Sequence, residues 1–239
     1  MMSTPDWLKN LEPIPTNPYE KILHQLNQID CLDKSVNLET LQNSGLKFEA
    51  SEIKIIAELQ DFDSIDLVFS AYKHGMLFST ASRYLNWSLF EKLVARIMNE
   101  TGWETQSNFR FFGEGTPSER NRFEVDIIAN KKPYVLVIDC KRYKNPAQSP
   151  MREAAMNQKE RVFVFYEQLP IIHDALKSWP LWNLEVQILP VILTWKNHQL
   201  NVFENVPICS IDILPDFLLN LSKYIEEFNL FHLSWETYA

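Results

Sequence analysis

The stretch FEVDIIANKKPYVLVIDCK, residues 123–141, joins two runs of aliphatic and β-branched residues through the tetrapeptide Asn-Lys-Lys-Pro. Two such runs separated by a short segment of turn-forming residues are typical of a β-hairpin. We therefore predict two antiparallel strands joined by a four-residue loop at 130–133. This loop would place Asp126 opposite Val137.

The alternation of residues along these strands predicts two chemically different faces. Side chains two residues apart on a strand share a face, so Asp126, Asp139 and Lys141 are predicted to lie on one side. The opposite side is apolar and comprises Val125, Ile127, Leu136, Ile138 and Cys140. The hairpin is therefore predicted to bury one face and to present two carboxylates and an ammonium group on the other.

Two carboxylates beside a lysine suit the hydrolysis of phosphodiester bonds. Mg²⁺ prefers oxygen ligands and typically takes one or two carboxylates, with water and substrate phosphate in the other positions. Such an ion stabilises charge on the phosphate and lowers the pKa of a bound water. Lys141 would add a fixed positive charge near the reacting groups. In the alternative interpretation, Asp126 and Asp139 are solvated strand residues that Lys141 neutralises.

These residues resemble the signature of the PD-(D/E)xK nuclease superfamily, especially the Mrr-type restriction endonucleases and archaeal Holliday-junction resolvases. Asp126 is followed thirteen positions later by Asp139 within IDCK, and the helical segment WSLFEKLVARIMNETGWE (87–104) precedes both. The resemblance covers residues 86–228. It implies that Asp126 and Asp139 are the two signature acids, that Lys141 is the signature lysine, and that Glu91 is the acid of the first core helix.

By resemblance to the family, these four positions are expected to form a metal-binding catalytic site. The resemblance implies that Glu91, Asp126 and Asp139 hold Mg²⁺ or Mn²⁺ and that Lys141 assists the attacking water. Three departures accompany it: Val125 replaces the usual proline, Asp139 replaces the more frequent glutamate, and the tyrosine expected four residues after Gln158 is Val162. Gln158 is therefore kept only as an accessory candidate.

Charge along the chain favours nucleic acid at one segment only. The net charge is −8, yet residues 110–161 carry 11 Lys and Arg against 7 Asp and Glu. Local positive potential, rather than total charge, governs phosphate binding. Glu124 shares the face of Asp126 and is an accessory ligand candidate or a solvated acid. The residues predicted to contact DNA are Lys131, Lys132, Arg142, Lys144, Arg110, Arg120 and Arg122.

Hydrophobic periodicity predicts the rest of the fold. A helix is expected to begin at Asn86 or Ser88, with Ser88 and Glu91 forming a capping box, and to end at Gly102. From residue 86 the predicted order is α-β-β-β-α-β followed by a strand and a helix. This is an α/β, restriction-endonuclease-like core with a four-stranded mixed sheet flanked by helices. The other predicted elements are strands at 103–110, 188–195 and 207–214 and helices at 150–169 and 215–228.

Residues 1–85 are predicted to form a separate, mostly helical unit. They carry 7 Lys and Arg against 12 Asp and Glu, and helices are expected at 18–29, 37–43, 51–60 and 63–73. Residues 86–239 form the second predicted domain. The acidic first unit is a candidate surface for a protein partner, and a homodimer stays open.

Composition limits the remaining classes. The chain lacks an apolar run of the length that a membrane span needs, its first residues do not resemble a secretory signal, and its cysteines, Cys31, Cys140 and Cys209, lack metal-ligand spacing. A cytoplasmic protein is expected. We predict a divalent-metal-dependent endonuclease acting on DNA. The alternative is a nuclease-like module that binds DNA or protein without cutting, within a defence or repair assembly.

Overall fold

The computed structural model describes residues 15–113, 122–143, 148–172, 176, 186–228 and 230–233. The chain divides into two compact units, Met1–Leu85 and Asn86–Ala239. No helix within the described ranges has the length and apolar character required to cross a membrane.

The first unit is helical in the part that the structure describes. Its helices are α1 (Pro18–Gln28), α2 (Leu38–Asn43), α3 (Ala50–Leu59), α4 (Ser64–Lys73) and α5 (Phe78–Ala81), followed by a 3₁₀ turn at Ser82–Tyr84. Asn17 caps α1 by accepting from the Tyr19 N–H, with Pro18 in the first turn, and such caps contribute about 1 kcal/mol. Helix α5 was not predicted, because four residues are too few for a helical period.

The second unit alternates helices and strands. It contains α6 (Trp87–Glu100), β1 (Glu104–Phe112), β2 (Arg122–Lys131), β3 (Tyr134–Lys141), α7 (Gln148–Ile172), β4 (Val186–Thr194), β5 (Val202–Phe203), β6 (Val206–Ser210), α8 (Leu214–Tyr224), a 3₁₀ turn at Ile225–Glu227, and β7 (Phe231–Leu233). Asn86 caps α6 by accepting from the Leu89 N–H. Ser88 lies inside the helix, so the predicted capping box of Ser88 and Glu91 is wrong.

One mixed sheet forms the centre of this unit. Six strands follow the order β1-β2-β3-β4-β6-β5, and β7 pairs with β4 as a seventh. Strand β4 runs parallel to β3 and β6, whereas β2 runs antiparallel to both of its neighbours, β1 and β3. The predicted count of four strands is therefore too low. Strands β5 and β7, with two and three residues, are too short to show an alternating pattern.

The hairpin of β2 and β3 has a tighter turn than predicted. Lys131 pairs with Tyr134 and Ile128 pairs with Val137, which leaves only Lys132 and Pro133 in the turn. The predicted pairing of Asp126 with Val137 is wrong by two residues. A shift of two preserves the side-chain face. It also moves Asp126 next to Asp139, one step beyond the last strand pair, Ile127 with Ile138.

Strand β3 is buried on both faces, so the prediction of one presented face is wrong. On the Val137 side, Val135 and Val137 pack with Val162 and Phe165 of α7. On the other side, Leu136, Ile138 and Cys140 are also fully buried. A central strand with a parallel neighbour is covered by helices on both sides. The working face of the hairpin is therefore limited to its end, at Asp139 and Lys141.

Candidate active site

The three signature side chains meet where strands β2 and β3 diverge. Asp126 Oδ2 accepts a hydrogen bond from the Cys140 N–H at 2.7 Å, so a side chain of one strand takes the backbone donor of the other. Lys141 Nζ lies 2.7 Å from Asp139 Oδ2. The predicted grouping of two acids and a lysine is thus present at the carboxyl end of β3. Asp139 is 5% exposed, because helix α7 covers this strand.

Helix α7 supplies two further polar groups to the same point. Arg161 NH1 lies 3.0 Å from Asp139 Oδ1 and also donates to Gln158 Oε1. Gln158 is fully buried, and its Nε2 donates to the Val137 carbonyl at 2.7 Å. Gln158 therefore joins α7 to β3 and orients Arg161, and both oxygens of Asp139 are paired with cations.

Glu91 approaches the cluster from helix α6. Its side chain accepts a hydrogen bond from Trp87, one helical turn earlier, and burial raises its pKa to about 7, with a further contribution from the negative charge of Asp126. Glu124 and Asp139 act in the same direction, while the Trp87 hydrogen bond opposes the shift. A carboxyl group held so close to other acids gains from a nearby cation.

Asp126 is perturbed in the same sense. Burial raises its pKa, the hydrogen bond from Cys140 N–H opposes this effect, and the charge of Asp139 adds to it. The Cys140 thiol is fully buried, and its pKa is raised well above the usual range by that burial and by the neighbouring acids. Cys140 is therefore a neutral core residue.

These carboxylates could hold a divalent cation that takes only a few of its ligands from the protein. Within the described residues, no group of three or more His, Cys, Asp or Glu side chains converges closely enough to hold a metal. Mg²⁺, however, commonly uses only one or two carboxylates and completes its shell with water and phosphate. Asp126 and Asp139 supply that pair, and burial, with a further contribution from the neighbouring acids, raises the pKa of both Glu91 and Asp126. For Asp139 to act as a ligand, its pairing with Arg161 or Lys141 must change.

Glu124, an accessory ligand candidate, is paired with Arg110 in the structure. Arg110 Nε and NH2 donate to its two carboxylate oxygens at 3.0 and 3.2 Å, across the β1–β2 pair in which the two residues lie opposite each other. This hydrogen bonding lowers the pKa of Glu124. Arg110 is thereby committed to the sheet surface, and Arg122 lies exposed at the start of β2.

The predicted DNA-contacting residues lie at opposite ends of the hairpin. Lys131 Nζ donates to the Thr101 carbonyl at the end of α6, at 2.9 Å, and Lys132 lies in the adjacent turn. Lys131 lies five positions along the strand from Asp126, a distance of about 17 Å. Arg142, by contrast, directly follows Lys141. Arg120 and Lys144 fall outside the described residues.

A cluster of cations around one indole adjoins Lys141. The backbone N–H of Trp195 donates to the Lys141 carbonyl at 3.1 Å. The Arg142 guanidinium carbon lies 4.9 Å, and Lys196 Nζ 4.8 Å, from the centre of the Trp195 ring. Cation–π contacts of this kind contribute about 0.5–1 kcal/mol at exposed positions. They keep two positive charges beside the site.

Sequence reasoning missed Arg161, Trp195 and Lys196. Arg161 follows Gln158 by three residues, so both side chains lie on the same helical face, and this spacing was the available signal. No local pattern connects α7 to Asp139, because the sequence separation is 22 residues. Trp195 is only half-buried.

Comparison with known protein families gives a match to one part of the chain. Residues 82–158, which include Glu91, Asp126, Asp139 and Lys141, match the Mrr catalytic-domain family, described as a restriction endonuclease. This match confirms the resemblance to the PD-(D/E)xK superfamily. No curated protein matches the chain.

Two solved structures show weak similarity. A protein of unknown function, AF1548, is 19% identical with a TM-score of 0.35, over 58% of this chain and 67% of that chain. Protein VC1899 from Vibrio cholerae is 11% identical with a TM-score of 0.33, over 90% of this chain and 58% of that one. TM-scores of this size support no conclusion about a shared site.

Proposed function

We propose that this chain, whose residues 82–158 match the Mrr catalytic-domain family, is a divalent-metal-dependent endonuclease that hydrolyses phosphodiester bonds in DNA. The observation that carries the proposal is the convergence of Asp126, Asp139 and Lys141 at the end of the hairpin, with Lys141 Nζ 2.7 Å from Asp139. Glu91 joins them from a separate helix. Burial, and then the neighbouring acids, raise the pKa values of Glu91 and Asp126, which solvated and isolated carboxyl groups would not show.

Each side chain has a task that its environment supports. Asp126 is oriented by the Cys140 N–H through Oδ2, which leaves Oδ1 to face a cation. Lys141, about a quarter exposed, can contact a phosphate oxygen or the attacking water from its position at the mouth of the site. A divalent cation, when bound, stabilises charge on the phosphate and lowers the pKa of water.

Glu91 is suited to moving a proton. Its pKa of about 7 makes both protonation states available near neutral pH, which is the condition for efficient general acid–base catalysis. A cation bound beside Asp126 would lower this pKa and favour the carboxylate. We propose that Glu91 then either shares the cation or accepts a proton from water in the site.

The DNA strand is proposed to lie across the end of β3 and β4. Arg142 and Lys196 lie there against the Trp195 ring, next to Lys141, whose side chain is on Asp139. Lys131 does not belong to this surface, because it is bonded to the end of α6. Phosphate contacts of this kind supply affinity without reading sequence.

One observation favours the second candidate, a nuclease-like module that binds without cutting. Both oxygens of Asp139 are already paired with cations, an arrangement that a non-catalytic protein could retain permanently. The two candidates agree on DNA binding and differ on hydrolysis in the presence of metal.

Cleavage of linear, supercoiled and branched DNA, with Mg²⁺ or Mn²⁺ and with EDTA, separates them. The full chain should cut in metal only, and Asp139→Asn and Lys141→Ala should abolish cutting while retaining DNA binding. Lys159→Gln is the matched control, because Lys159 lies on α7 beside Gln158 but pairs with Glu204 on the exposed surface. Cutting by all preparations alike would indicate a contaminant. DNA binding without cutting in either metal would favour the binding module.

A further inference from the structure

Arg161 occupies the position at Asp139 that a cation would need. Its NH1 lies 3.0 Å from Asp139 Oδ1, and Lys141 holds Oδ2 at 2.7 Å. The Asp139 side chain is only 8% exposed, against 23% for that of Arg161. The arginine side chain is therefore more accessible to solvent than the carboxylate that it contacts.

A buried side chain holds Arg161 in this contact with Asp139. Gln158 is fully buried and bonded to the Val137 carbonyl, and its Oε1 accepts from the same NH1 that faces Asp139. Surface ion pairs lose much of their energy to side-chain entropy. Here the fixed amide reduces that loss, because it selects one position for the guanidinium.

The charges of the site indicate that this arrangement changes when metal binds. Glu91, Asp126 and Asp139 are acidic, and Lys141 and Arg161 are the cations in contact with Asp139. A divalent ion that binds Asp139 Oδ1 would have to share that oxygen with a guanidinium. Like charges so close together are unfavourable in a partly buried site. Arg161 must therefore withdraw from Asp139 when that oxygen binds a metal.

We infer that Arg161 is a built-in counter-ion of this site, which a divalent cation displaces from Asp139 and which then binds a phosphate of the substrate. The inference rests on the proposed function and specifies how metal and substrate are coupled. A guanidinium presents several N–H donors in a plane that matches phosphate. Because each ligand relieves a contact that opposes the other, metal and DNA should bind with positive coupling, which is reciprocal.

Calorimetric titration of the full chain with Mg²⁺, without nucleic acid, tests whether Arg161 competes with the cation for Asp139. The guanidinium repels a divalent cation at the oxygen that they would share, so its removal should favour Mg²⁺ binding. We therefore expect Arg161→Gln to bind Mg²⁺ at least about tenfold more tightly than wild type. Arg161→Lys, which keeps the charge, should remain within about threefold, and the Lys159→Gln control within about twofold.

The same titration with a phosphorothioate DNA duplex, which resists hydrolysis, tests whether the released Arg161 binds a phosphate. The duplex should tighten Mg²⁺ binding by wild type at least about fivefold, within the range typical of coupled sites. In Arg161→Gln this gain should fall to about twofold or less. Circular dichroism checks that each variant is folded. If Arg161→Gln is not folded, Gln158→Met frees the guanidinium from its anchor and should raise Mg²⁺ affinity severalfold.

Unchanged or weaker Mg²⁺ binding by folded Arg161→Gln, with wild type still cutting DNA, would overturn the counter-ion role and leave the nuclease proposal intact. If wild type cuts no DNA and neither protein binds Mg²⁺ even with the duplex, both proposals fail. Equal coupling by DNA in wild type and Arg161→Gln would remove the phosphate-binding half.

Discussion

Replacing Glu91 by glutamine tests the electrostatics of the site through protein stability. Glu91 is buried beside Asp126, and its pKa in the folded chain is about 7 instead of 4.5. A folded state with a raised carboxyl pKa binds the proton more tightly than the unfolded chain. The contribution of protonated Glu91 to the free energy of unfolding is therefore fully present below pH 4.5 and is lost as the pH rises through 7.

The shift gives the size of the effect. A difference of about 2.5 pKa units at 1.36 kcal/mol each makes ionised Glu91 cost about 3 kcal/mol at pH 8, and less than about 1 kcal/mol at pH 5. Glutamine keeps the shape and can still accept the hydrogen bond from Trp87, but it carries no charge. Glu91→Gln should therefore raise the free energy of unfolding by about 2–3 kcal/mol more at pH 8 than at pH 5.

Urea denaturation at the two pH values measures this difference. Tryptophan fluorescence reports mainly on the second unit, because six of the seven tryptophans follow residue 85. Glu100→Gln is the matched control: it removes the same charge from α6, but from an exposed pair with Arg96, and should change stability by less than about 0.5 kcal/mol at either pH. A stabilisation by Glu91→Gln that does not depend on pH, or a loss of stability at pH 8, would refute the proposed crowding of acids.

Further outcomes follow from the same contacts. Asp139→Asn should lower the free energy of unfolding by about 1–3 kcal/mol in urea denaturation, because two cations lose a charged partner; unchanged stability would mean that these ion pairs contribute nothing. Arg142→Ala should flatten the dependence of log DNA affinity on log salt by about one unit, whereas Lys131→Ala should leave that slope unchanged and reduce stability by about 0.3–1 kcal/mol; the reverse pattern in fluorescence anisotropy would place the DNA surface at the hairpin tip. Residues 86–239, which form one of the two compact units, should fold alone, and a fragment without cooperative unfolding by circular dichroism would contradict this.

The sequence predicted the grouping of Asp126, Asp139 and Lys141 better than its surroundings, for a physical reason. The shared face of Asp126, Asp139 and Lys141 depends only on the period of two along a strand, and it survives a register error of two residues. The register depends on turn geometry, which Asn-Lys-Lys-Pro does not specify. Asn130 and Lys131 continue the strand instead of entering the loop.

Burial was harder to predict than chemistry. The run VLVI before Asp139 is predicted to have one buried and one open face, but packed elements cover both: helix α7 lies on the Val137 side, and Leu136 and Ile138 on the other side are fully buried. Their positions depend on tertiary packing, which local patterns do not encode. The same limit hid Arg161, whose partner lies 22 residues away.

The hydrogen bond from the Cys140 amide to Asp126 makes that amide a reporter on the site. Most amides in a sheet are protected from hydrogen exchange by backbone carbonyls, so their exchange reflects the opening of strands. Protection of the Cys140 amide depends instead on a carboxylate, through one 2.7 Å contact. Its exchange rate therefore follows the position and charge of Asp126, and a bound cation or a protonated carboxyl would register there without any change in the strands. A single backbone proton thus records the occupancy of the candidate active site.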